Sequence, residues 1–101
     1  MKYALLAALA LVLAVPTFAN VEYAGGDGSD IGHAIVITGA KNEIDGVASE
    51  YRWLVAHTKD CKKQEQSLLS ENGKDYDILT IRCPEGARSF YFDITDFFGK
   101  M

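Results

Sequence analysis

The chain is sparing with the residues that usually announce chemistry. It has two cysteines, two histidines, two prolines and one tryptophan. No C-x-x-C is present, so a thioredoxin-like redox centre is not expected. His57 and Cys61 are four residues apart but lack the second close pair that a structural metal site needs. None of the serines (29, 49, 67, 70 and 89) sits in G-x-S-x-G, and His33 and His57 have simpler readings at a strand start and a helix end. Basic residues number 10 against 14 acidic, for a net charge of −4, and they form no cluster. Phosphate backbones are held by Lys and Arg, so nucleic acid is not an expected partner. Asp96-Phe97-Phe98-Gly99 is not the kinase D-F-G, which needs the rest of a kinase. The chain is therefore read as non-enzymatic and without a cofactor. Its 101 residues, 49% hydrophobic and 24% charged, suit one small folded domain and exclude a disordered tail or a multidomain enzyme.

What is present first is an address. One charge in Met1-Lys2-Tyr3 precedes Ala4 to Val15, a run made only of Ala, Leu and Val, and Pro16 ends it. Thr17 and Ala19 then place small residues at −3 and −1 of a cleavage site, the layout of a signal peptide over residues 1–19. The run would reach about 18 Å as a helix, short of the roughly 30 Å hydrocarbon core. Cleavage is expected after Ala19, leaving a periplasmic or secreted protein with no membrane segment.

A remaining domain of this size buries only about 60–65% of its unfolded surface, and a covalent staple would help it. Cys61 and Cys83 are expected to bond in an oxidising compartment. The fold read from the remaining pattern is α+β, in the order β-α-β-β-β. One amphipathic helix packs on one face of a three- to four-stranded, mainly antiparallel sheet. Residues 20–32, rich in Gly and Asp, read as an arm. Ala34 to Thr38 is apolar on both faces, as in an interior strand. Asn42 caps a helix over about Glu43 to Thr58, and Ile44, Val47, Ala48, Tyr51, Leu54 and Val55 fall on one side of it, the expected core face. Ser67 to Glu71 is a weak strand, Asn72-Gly73 a hairpin turn, and Tyr76 to Cys83 and Arg88 to Ile94 are strands. Thr95 to Gly99 can add a helical turn.

Cys61 follows the helix, so its partner Cys83 should face the helix, and alternation brings Leu79 and Ile81 with it. Tyr76, Ile78 and Thr80, with Tyr91 on the next strand, then point away. They form a semi-apolar stripe on an uncovered face, suited to a protein partner, a second copy or the chain's own arm. A second reading uses Gly25-Gly26-Asp27-Gly28-Ser29-Asp30, which matches the start of the calcium nonapeptide. A single copy supplies half a site, so Asp27 and Asp30 are a weaker candidate for a metal ion or small ligand.

Four phrases carry a resemblance: Gly26-Asp27-Gly28-Ser29, Ala34-Ile35-Val36-Ile37, Glu50-Tyr51-Arg52-Trp53-Leu54, and Tyr91-Phe92-Asp93-Ile94 through Phe97-Phe98-Gly99-Lys100. They look like those of small exported bacterial proteins of unknown function, across most of the chain after Ala19. The resemblance implies no activity. The expectation is an exported binding protein, an inhibitor or self-associating module among the possibilities.

Overall fold

The computed structural model describes residues 20–101; the expected export signal lies outside the described residues. The chain runs β1 (Glu22–Gly25), a 3-10 turn (Ile31–His33), β2 (Ile35–Thr38), α1 (Glu43–His57), β3 (Lys62–Glu71), β4 (Lys74–Cys83) and β5 (Gly86–Asp93). The strands form one sheet in the order β1-β2-β5-β4-β3. Its pairs are antiparallel except β2 with β5, which run parallel through Ile35–Phe92 and Val36–Asp93. The fold is α+β, with one helix on one face of a mixed, mostly antiparallel sheet.

The sheet has five strands where the sequence reading has three to four, β4 and β5 each begin two residues earlier than read, and two strands differ more. Part of the arm is strand β1: β2 pairs with β5 along one edge, and Glu22–Gly25 pairs antiparallel along the other. Strand β3 starts at Lys62, not Ser67. Its polar first half has little strand propensity of its own, but both ends of the β3–β4 hairpin are tied. The Cys61–Cys83 disulfide closes the base. At the tip, Asn72 and Gly73 both take positive φ, 54° and 76°, the backbone that matches the twist of paired strands.

The helix starts where Asn42 accepts from the Asp45 amide at 2.9 Å, and Thr58 closes it on the Leu54 carbonyl. Its orientation departs from the expected one. Gly46, Ser49, Glu50 and Leu54 are buried, while Ile44 and Val55 are 80% and 79% exposed. The cause is the C-terminal segment. Phe97 is buried directly against Gly46, where a Cβ would collide with its ring. Only the small residues of the helix admit this approach, so that side turns inward and the apolar stripe is carried outward. Beneath it lie Ile35, Ile37, Leu79, Ile81, Cys83, Phe90, Phe92 and Ile94, the faces that alternation from Cys83 predicts.

Candidate interaction surface

Tyr76, Ile78, Thr80 and Tyr91 do share the sheet face opposite α1. Ile78 stands directly across from Tyr91, Thr80 from Ser89, and Tyr76 from Asp93. The Thr80 and Ser89 hydroxyls are 2.8 Å apart. Tyr76 is only 8% exposed, so it contributes little area, while the other three are half-buried. The apolar side chains of the arm do not cover this face. Val21 packs against the core, and the Tyr23 hydroxyl donates to the Ser49 carbonyl of α1 at 2.8 Å. The 3-10 turn does approach, since Ile31 to His33 line a depression with Val36, Tyr76 and Asp93.

Asp27 and Asp30 are each occupied with their own turns. The Asp27 carboxylate accepts from the Ser29 amide. Asp30 accepts from the His33 amide and sits 2.7 Å from its Nδ1. Hydrogen bonding to Ser29 lowers the Asp27 pKa, and hydrogen bonding to His33 lowers that of Asp30. The same contact with Asp30 raises the His33 pKa. Among the described residues no group of three or more His, Cys, Asp or Glu side chains is placed to hold a metal ion.

The more exposed apolar surface lies on the helix side of the sheet. Ile44, Val47, Tyr51 and Val55 follow one another along α1 at helical spacing, and Val47 is exposed at 37%. Across from the helix, Leu68 of β3 is 58% exposed. Nearer the disulfide, the C-terminal half of α1 and the start of β3 bound a groove lined by Tyr51, Leu54, Val55, Asp60, Lys63 and Ile81. The Lys63 ammonium lies 6.0 Å from the centre of the Tyr51 ring. The chain matches no protein-family model, no curated protein and no solved structure. The groove is therefore read from its own residues.

Elsewhere between α1 and the sheet is a pair of buried carboxyls that the sequence reading missed. Glu50 from α1 and Asp77 from β4 are both buried, at 0% and 1% exposure. Asp77 accepts from the Gln66 side-chain amide at 2.9 Å. The Glu50 oxygens have no hydrogen-bond partner among the described residues. Burial, and then the neighbouring Asp77, push the Glu50 pKa up to about 10, so at neutral pH Glu50 is an uncharged acid. The available signal was Gly46, Ser49 and Glu50, whose small or polar side chains lie at helical spacing between the apolar residues. An outward stripe requires that side to be the buried one.

Proposed function

We propose that the protein is an exported, non-catalytic binding module that seats an apolar segment of a partner protein in the groove between α1 and β3. The observation that carries this reading is the 79% exposure of Val55, which lines the groove, on a helix whose periodicity is that of a packed helix. Apolar patches of this kind on a small domain mark contact surfaces. Lys63, which lines the groove, favours a segment that also carries a carboxylate. The disulfide is consistent with an oxidising compartment outside the cytoplasm. No helix among the described residues is long and apolar enough to cross a membrane.

The test is selection from a random peptide library displayed on phage. Apolar peptides containing Asp or Glu should emerge, and Val55→Asp should abolish their binding. Burying one such side chain is worth roughly 1.5–3 kcal/mol, and Val55 is exposed enough for the substitution to leave the fold intact. Ile78→Asp, on the opposite sheet face, should leave binding unchanged. Peptides that survive Val55→Asp but are lost in Ile78→Asp would move the contact to the Ile78–Tyr91 face. Peptides indifferent to both substitutions would remove the reading.

A further inference from the structure

We propose that the protein pairs with a second copy of itself along the outer edge of β3, with the two strands antiparallel about a two-fold axis at Ser67. Two five-stranded sheets then become one. β3 is the edge strand at one end of the sheet. It is ten residues long, contains no proline, and is exposed at every position but one. Such an edge offers a row of unpaired N–H and C=O groups to another strand. The opposite edge, β1, is only four residues long.

Charge selects both the partner and the register. Lys62 on β3 stands directly across from Arg82 on β4. Like charges in that position destabilise a pair of strands. Neither makes an ion pair with a described residue, and neither does Glu71 at the other end of β3. Centring the two-fold on Ser67 sets Leu68 opposite Gln66 of the copy and Leu69 opposite its Glu65. Beyond the bulge between Lys63 and Glu65, Lys62 then meets Glu71. Lys62 and Glu71 both lie on the sheet face away from α1, because their partners Arg82 and Lys74 fall there by alternation along β4. Each Lys62–Arg82 pair thereby gains a carboxylate, and the symmetry makes this happen twice.

The neighbouring registers lack this match. Centring on Leu68 sets Glu65 against Glu71, and centring on Gln66 sets Lys62 against Leu69. In the Ser67 register the two Leu68 side chains become diagonal neighbours across the axis, within reach of one another. Leu68 is more than half exposed in the single chain, so the contact covers apolar surface that is otherwise wet. The interface is closed, since each edge is used up by its copy, and association stops at two.

Sedimentation of the purified protein up to roughly 200 μM, where micromolar affinities register, should show a dimer. Lys62→Glu and Glu71→Lys should each weaken it about tenfold or more, because two attractions become two repulsions. The double swap should restore it. Both positions are exposed, and circular dichroism verifies that each variant is folded. As an independent reading of the register, Ser67→Cys should oxidise to a covalent dimer, because Ser67 faces its own copy. A monomer throughout the range, a dimer indifferent to the single reversals, or a swap that fails to restore would each overturn the proposal. Pairing does not use the groove, so Val55→Asp should still dimerise, and a failure of one proposal is distinguishable from a failure of the other.

Discussion

Replacing Glu50 by Gln tests the buried acid most directly. In the folded protein Glu50 is 0% exposed and its pKa is pushed from 4.5 up to about 10. Between those values the folded state holds a proton that the unfolded chain has released. Stability therefore falls as pH rises. The favourable contribution is complete below about 4.5 and is lost progressively toward 10. One such proton is worth about 1.4 kcal/mol per pH unit. From pH 5.5 to 8.5 the parent should lose about 4 kcal/mol from this group alone, a large share of the roughly 5–15 kcal/mol typical of a whole domain. Glu50→Gln keeps the shape and the neutral state but has no proton to lose. It should match the parent within about 1 kcal/mol near pH 5 and exceed it by several kcal/mol at pH 8.5. Urea unfolding followed by Trp53 fluorescence at a series of pH values measures this. His33 has a raised pKa and adds slope of the same sign near neutrality, so the diagnostic quantity is the difference between parent and variant, in which His33 cancels. If the two curves run parallel from pH 5.5 to 8.5, Glu50 is ionised in the folded protein and the reasoning fails.

Gly46→Ala should destabilise the domain although alanine is the better helix former. The propensity gain of about 1 kcal/mol is outweighed by the collision with the Phe97 ring, for which overpacking costs typically 1–3 kcal/mol. A variant with an unchanged or higher thermal midpoint would refute the packing of Phe97 on the helix. In the arm, the His33 ring should titrate by NMR above its ordinary value of 6.5, and Asp30→Asn should return it toward that value. The His33–Asp30 contact is lost as pH rises through the raised histidine pKa, and lost again as pH falls through the lowered Asp30 pKa. A His33 midpoint unmoved by the substitution would mean that the contact is not formed in solution.

Local chemistry carried some elements into the fold unaltered. Asn42 was legible as a cap because its side chain satisfies an amide three residues on, and Asn72-Gly73 because few other pairs accept two positive φ values in succession. The cysteines allowed the facing of β4 and β5 to be deduced, since a bond to a residue just past the helix fixes which side Cys83 must take. The facing of α1 could not be deduced in the same way. Ile44, Val47, Tyr51 and Val55 make a better stripe than Gly46, Ser49 and Glu50, and burial normally follows the better stripe. What reverses it is Phe97, about fifty residues distant, which needs a helix surface without a Cβ. The candidate groove was hidden for the same reason, because its apolar wall had been assigned to the interior. Strand β1 was obscured by the glycines around it, and its pairing depends on an edge of β2 that exists only once β2 has joined β5.

That parallel junction also orders events in time. Strands β3, β4 and β5 follow one another through tight turns, so their contacts are local and form early. Strand β2 has no such neighbour: among the described residues it pairs, apart from the short β1, only with β5, more than fifty residues downstream. Ile35 and Ile37 cannot be covered on both sides until Phe92 has arrived. A growing chain thus remains without a complete sheet until β5 has been synthesised, so the segment before it stays open to handling by other factors in the meantime.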